Sequence, residues 1–335
     1  MWALPLLESR VLGDKMNLTG TYVIYQNGKE VARQSNLLTK FGKRFLTSYL
    51  AGSVNFNEKD IAVGIGGSSI DGGTSPTVND TQLDFEIYRS AVNIGTIDIQ
   101  TDSVTGNSTY AVVYKTTLPN DIVGTISELG LFNTQTQGNT DFSSRYVSTF
   151  ENNIYWLDDS GSQATTVTTP SPLIGNLWFK LNPSASQSLK YTTNVSFDLS
   201  GYSTNDSLTL AYNQQDLNLD YIFVRFYTSS TAYYEGRFPA KSTTGNKLIK
   251  LSLNDLYNSG HNVGSPDPAS ISQISIGAVA KSSGATSVLL DGLRINDEDS
   301  FGTIYGMISR SVLSQPVSKP YGISTDIEYR IGLTF

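Results

Sequence analysis

The sequence predicts a mainly β chain with one helix in its N-terminal half. Three observations carry this prediction. Twenty-nine glycines with abundant Ser, Thr and Asn supply turns. Nineteen tyrosines and 14 phenylalanines suit half-buried pleated surfaces. Apolar residues recur mostly as short runs bounded by turn signals, and only once at sustained helical spacing. At 335 residues the chain is long enough for one large or two ordinary domains.

Residues 1–15 read as an N-terminal arm. The apolar stretch 2–7 is broken by Pro5 and ended by Glu8, with no basic residue before it, a poor signal peptide. The stretch reads as a loose terminus or, alternatively, as an arm that docks Trp2 and Leu4 onto a neighbouring subunit. Residues 22–25 and 30–32 form a hairpin around Asn27-Gly28, which supplies the positive φ angles of a tight turn. The helix follows: Leu37, Leu38, Phe41, Phe45, Leu46, Tyr49 and Leu50 share one face, Ser35 or Asn36 can cap it, and Gly52 can close it. Lys40, Lys43 and Arg44 fall on its solvated face. Residues 61–64 are a strand and 65–80 a loop punctuated by Gly66-Gly67 and Gly72-Gly73. The Gly64-x-Gly66 pattern has no helix after it and no P-loop lysine, so it is not read as a phosphate site. Further strands are expected near 85–89, 94–100, 110–117 and 126–132.

The stretch 124–133 organises the first half. Its apolar run is too short for a helix, and Glu128 inside it needs a partner, because a bare buried carboxylate is costly. The segment 83–89, ending in Tyr88 and Arg89, is the candidate. After Asn133 a polar link at 134–140 leads into nine expected strands, near 145–150, 177–181, 194–199, 207–212, 221–227, 233–238, 247–253, 271–280 and 288–295. Their spacing of about ten residues, with turns between, is that of a β-sandwich.

Two resemblances add to this reading. A glycine-rich turn, then Leu83-x-x-Glu86-x-Tyr88-Arg89, then Leu118-Pro119, then Gly124-x-Ile126-x-Glu128-Leu-Gly-Leu-Phe132 resembles the particle-proximal domain of bacteriophage tail-collar fibre proteins. A segment like 306–319 with 326–335 completes that domain in the family almost directly after the Glu-Leu-Gly-Leu-Phe strand; here about 165 residues intervene. The resemblance therefore implies a β-sandwich scaffold in two parts, 16–135 and 300–335, with a domain inserted at 140–299, where close chain ends at a loop tip tolerate it. The insert resembles jelly-roll carbohydrate-binding modules: Ser148-Thr-Phe-Glu151 and Trp156 at its opening, Tyr233-Tyr234, and Val288-Leu-Leu-Asp-Gly-Leu-Arg-Ile295 at its close.

Composition excludes several chemistries. Without cysteine there is no disulfide, thiolate metal site or thiol nucleophile. A net charge of -7 argues against nucleic acid or an anionic membrane surface as partner, and no run approaches the roughly 18 apolar residues of a membrane span. The sole histidine, His261, lies in a loop with no triad pattern. The carboxylate runs Asp158-Asp159 and Asp297-Glu298-Asp299 read as loop charge, so the chain is not expected to be an enzyme. The module resemblance implies that Glu151 and Asp291 share a structural Ca2+. Tyr233, Tyr234 and Arg237 are the candidate sugar contacts, since a pyranose packs its apolar face on a flat ring.

The resulting expectation is a structural virion protein of a phage tail, fibre, collar or baseplate, made in the host cytoplasm and homo-oligomeric in the particle. It would pack against other virion proteins while its insert attaches to host surface glycan. A purely structural spacer or neck or capsid decoration with a protein-binding insert is the alternative, and a glycan-degrading particle enzyme a third reading.

Overall fold

The structure, a computed structural model, describes residues 17–53, 59–92, 95–101, 108–133, 146–296 and 306–334. The expected arm at 1–15, the polar link and the Asp297-Glu298-Asp299 run lie outside the described residues. Strands β1 (Asn17–Gln26) and β2 (Lys29–Ser35) form the expected hairpin, with Asn27 and Gly28 at φ 49° and 78°. Then come β3 (Leu37–Leu38), α1 (Lys40–Leu50), β4 (Lys59–Gly64), β5 (Glu86–Ala91), β6 (Thr96–Thr101), β7 (Ser108–Leu118) and β8 (Gly124–Asn133). After these follow β9 (Tyr146–Ser148), β10 (Thr165–Val167), β11 (Trp178–Leu181), β12 (Ser188–Phe197), β13 (Ser207–Gln214), β14 (Leu219–Ser229), β15 (Ala232–Pro239) and β16 (Gly245–Ser252). A short helix α2 (Leu253–Tyr257), β17 (Ile271–Ala280), β18 (Val288–Asn296), β19 (Met307–Lys319) and β20 (Thr325–Thr334) complete the described chain. The fold is mainly β, as predicted, and among the described residues no helix is long and apolar enough to cross a membrane.

The helix starts later than expected. Leu37 and Leu38 pair with β19, and Thr39 is the N-cap, accepting from the Gly42 amide at 2.9 Å. Ser35 and Asn36 lose that role because sheet pairing captures the first two apolar positions of the helical pattern, a case of tertiary contact overriding local propensity. Lys40, Lys43 and Arg44 are exposed, as expected.

Among the described residues four antiparallel sheets pack in pairs. The orders β2-β1-β20-β7-β6 and β3-β19-β8-β4-β5 enclose Tyr22, Ile24, Ile61, Val63, Ile126, Leu129, Leu131, Ile308, Ile327 and Tyr329, with Phe45 of α1 packed on them. The orders β10-β11-β18-β13-β16, with β9 also on β18, and β12-β17-β14-β15 enclose a second core. That core holds Phe150, Phe179, Leu210, Ile222, Val224, Phe226, Phe238, Ile274, Ile276 and Leu293. We call the last two sheets C and D.

A third apolar cluster joins the two sandwiches. Ile65, Ile70 and Phe85 of the first meet Leu173, Trp178, Ala211, Leu248 and Leu289 of the second. Trp178 and Leu289 stand on the outer face of sheet C, since their neighbours Phe179 and Leu290 point into the second core. Polar links frame the contact: Lys247 Nζ reaches Asp71 Oδ2 at 2.8 Å, the Leu248 amide donates to the Asp71 carbonyl at 2.8 Å, and the Thr125 amide to the Leu173 carbonyl at 2.8 Å. The second sandwich is thus seated by one sheet on the first.

Glu128 finds its partners, and one of them was not foreseen. It is fully buried, and Arg310 of β19 donates to its Oε2 at 2.8 Å. The amides of Gly66, Asp84 and Phe85 donate to the same carboxylate at 3.0, 3.1 and 2.9 Å. The segment 83–89 therefore supplies backbone donors, while Arg89 turns to Glu86 at 2.8 Å. Arg310 also holds Asp84 at 2.8 Å and Asp80 at 3.0 Å. The glycine-rich loop is an anion cradle after all, for the chain's own carboxylates: a Cβ at Gly66 would come 2.3 Å from Glu128 Oε1.

Candidate functional site

With the outer face of sheet C against the first sandwich, the outer face of sheet D is the broad surface the second sandwich presents. Alternation builds it. In β14, Ile222, Val224 and Phe226 enter the core, so Tyr221, Phe223, Arg225 and Tyr227 face outward. In β15, Tyr234 and Phe238 are core residues, leaving Tyr233, Glu235 and Arg237 outward. Register aligns these in rows: Lys190–Gly277–Phe223–Arg237, Thr192–Ser275–Arg225–Glu235 and Asn194–Gln273–Tyr227–Tyr233. Gly277 is required where it stands, because a Cβ would come 2.4 Å from the Phe223 ring.

The face is aromatic, cationic and hydrogen-bonded. Tyr227 and Tyr233 pack with centroids 4.9 Å apart. Arg225 lies over Phe223 and Tyr233 at 4.7 and 4.9 Å, and Arg237 over Tyr221 at 4.6 Å. Glu235, nearly buried, holds both guanidinium groups by their Nε atoms at 2.6 Å each. Thr192 and Ser275 share a hydroxyl contact of 2.7 Å, and Gln273 donates to Asn194 at 3.2 Å. The sheet gains width at both margins: Leu157 pairs with Thr192, and Val263 with Tyr233. Tyr155, Leu157 and Val263 are exposed there.

The three candidate sugar contacts therefore separate. Tyr233 and Arg237 share this face. Tyr234 does not: it is buried in the second core, and its hydroxyl donates to the Pro266 carbonyl at 2.7 Å. Consecutive strand residues point to opposite faces, so Tyr233 and Tyr234 could not both face outward. Tyr221, Phe223, Arg225, Tyr227 and Glu235 were missed as site residues. The period-two pattern of Tyr221-Ile-Phe-Val-Arg-Phe-Tyr227, aliphatic or aromatic in against aromatic or basic out, was the available signal.

Glu151 and Asp291 flank a single loop. The amides of Leu173 and Ile174 donate to Asp291 Oδ2 at 2.5 and 2.8 Å, and those of Asn176 and Leu177 to Glu151 at 3.0 and 3.1 Å. Gly175 between them has φ 63°, and a Cβ there would come 2.3 Å from Glu151 Cδ. Asp291 is fully buried, and among the described residues its Oδ1 has no hydrogen-bond partner. Burial pushes its carboxyl well above the ordinary range; the two amides oppose this, and the Glu151 charge adds to it. Among the described residues no three His, Cys, Asp or Glu side chains cluster as metal ligands. Any cation here would rest on the oxygens of these two carboxylates, which suit a hard ion.

His261 is exposed in its loop, Asp158 caps a turn through the amides of Ser160 and Ser162, and Asp159 pairs with Lys190 at 2.6 Å.

No protein-family model matches the chain. No curated protein matches it either. Solved structures that resemble it include an exo-β-agarase, at 16% identity and a TM-score of 0.34 over 47% of this chain. A family 30 carbohydrate-binding module of a cellulosomal cellulase of Clostridium thermocellum matches at 15% identity and 0.34 over 44%. The family 11 module from the same organism, in complex with a β-1,3-1,4-mixed-linked tetrasaccharide, matches at 10% and 0.33 over 45%. The match spans 26% of the agarase chain and 94% of each module.

Proposed function

We propose that the protein is a non-enzymatic carbohydrate binder, in which the outer face of sheet D takes sugar and the first sandwich carries it as a structural scaffold on a bacteriophage particle. One observation carries the binding half. Sheet C spends its outer face on the scaffold, while sheet D keeps outward rows of Tyr, Arg, Gln, Asn and Thr, with Phe223 buried among them, the mixture of flat apolar surface and fixed polar groups that sugar recognition uses. Binding without cleavage is the reading because Glu235 is the one carboxylate of the outward β14 and β15 rows and is engaged by two guanidinium groups, whereas glycoside hydrolysis uses a pair of carboxylates across a cleft. The scaffold half rests on the tail-collar resemblance. Its segments, separated along the chain, converge on the Glu128–Arg310 cluster. Many copies on one particle would multiply weak sites into firm attachment.

The full chain on a glycan array should retain at least one sugar without releasing products. Tyr233→Ala should weaken retention several-fold with melting nearly unchanged, whereas Tyr234→Ala should lower the melting temperature, as truncating a core aromatic does. A silent array sinks the binding half, released fragments sink the non-enzymatic half, and absence of the chain from purified virions sinks the scaffold half.

Ca2+ at Glu151 and Asp291 is part of this reading. The buried, unpartnered Asp291 Oδ1 beside a second carboxylate calls for a cation or a proton. With calcium at about 100 times its Kd, linkage contributes about 2.7 kcal/mol, a rise of several degrees in melting temperature. Glu151→Gln and Asp291→Asn should each abolish that rise. The metal-free protein should also respond to acid. Because folding raises the Asp291 pKa, its contribution is fully present below the ordinary Asp value and is lost as pH rises through the raised one. If chelation leaves melting untouched across that range, no calcium is bound there.

A further inference from the structure

Resting on the sugar-binding reading, we propose that the polysaccharide taken by sheet D is acidic, carrying carboxylate or sulfate groups that lodge on Arg225 and Arg237. Charge is the first ground. On the outward rows Lys190, Arg225 and Arg237 face the single carboxylate of Glu235, in a chain whose net charge is -7. Asp159 reaches in from a turn and takes Lys190 at 2.6 Å, so the surplus positive charge sits on the two arginines.

Geometry is the second ground. The rings that would serve as stacking platforms already carry guanidinium groups: Tyr221 under Arg237, and Phe223 and Tyr233 beside Arg225. A neutral pyranose would have to compete for those surfaces. An anionic group would instead meet cations held ready for it. Glu235 fixes both arginines through Nε, and Arg225 also hydrogen-bonds Tyr227, so the Nη edge of Arg237 is the donor left to face a ligand. Among the described residues the Nη atoms of Arg237 have no hydrogen-bond partner, and the Arg225 and Arg237 side chains are 25% and 35% exposed. A guanidinium edge held in place matches the spacing of carboxylate and sulfate oxygens and loses little entropy on binding them. Glu235 thus acts as a positioning residue. Polar groups of the neighbouring row, Asn194 and Gln273, remain for sugar hydroxyls.

The test titrates the full chain calorimetrically with polygalacturonate, a sulfated galactan, a neutral β-glucan and polyglutamate. The expected result is binding to at least one of the two acidic polysaccharides at least about tenfold tighter than to the glucan, weakening as salt rises. The carboxylated and sulfated probes distinguish which anionic group is read, and either outcome supports the proposal. Arg237→Gln should weaken acidic binding about tenfold, and Arg237→Lys should restore part of it, charge without the fork. Equal affinity for the glucan, with Arg237→Gln silent, overturns the acidic preference and leaves sugar binding standing. Silence toward all three polysaccharides overturns both. Polyglutamate binding as tightly as the acidic sugars overturns the proposal too, since charge alone would then explain it.

Discussion

Replacing Arg310 with methionine is expected to destabilise the protein by about 3–5 kcal/mol at neutral pH, the cost of removing one partner from a buried ionic cluster. Arg310 is the cation facing Asp80, Asp84 and Glu128, and its side chain is 2% exposed. Burial pushes the Glu128 carboxyl upward, and Arg310 is the main force pulling it back. At Asp84 the burial effect is outweighed by Arg310 and the amides of Thr74 and Gly67, which hold its carboxyl below the usual range. In the folded wild type, Asp84 therefore contributes stability above the ordinary Asp pKa and loses it as pH falls through the depressed value. Without Arg310 both carboxylates shift toward protonation, which costs most at neutral pH. The gap between wild type and Arg310→Met should narrow as pH is lowered from about 7 toward the unperturbed carboxylate range near 4. Urea denaturation of both proteins at several pH values measures this; a gap constant with pH would show that the cluster's charge is irrelevant to its stability.

Trp178→Ala should remove about 3–5 kcal/mol and separate the melting of the two sandwiches. The Trp178 side chain is fully buried in the cluster shared with Ile65, Ile70 and Phe85. Its indole also donates to the Pro170 carbonyl at 2.6 Å. Phe179, one residue on, is equally buried but points into the second core. Phe179→Ala should cost a comparable amount by lowering the melting of the second sandwich, while the apolar seat between the sandwiches stays intact. Calorimetry distinguishes them: a second transition should appear in Trp178→Ala from loss of coupling across the seat. A single, merely shifted transition in Trp178→Ala would mean that Lys247–Asp71 and the backbone links suffice to hold the two together.

Much of the fold was legible because it is written in local periodicity. The Asn27-Gly28 hairpin, strand β8, and the strands at 207–214, 271–280 and 288–296 follow from alternation and turn chemistry, which depend on neighbours in sequence. The chain also specifies without help that it carries no cysteine thiol and that Glu128 needs partners. Tertiary structure decided which partners. Arg310 lies 182 residues from Glu128, a pairing no local pattern encodes. The same holds for the face of sheet D. Sequence singled out Tyr233, Tyr234 and Arg237 together; the pleat sent Tyr234 inward, and cross-strand register brought Arg225, Phe223 and Tyr221 beside the other two. Period two says that neighbours face opposite ways, but which way is inward is set only when a second sheet covers one face.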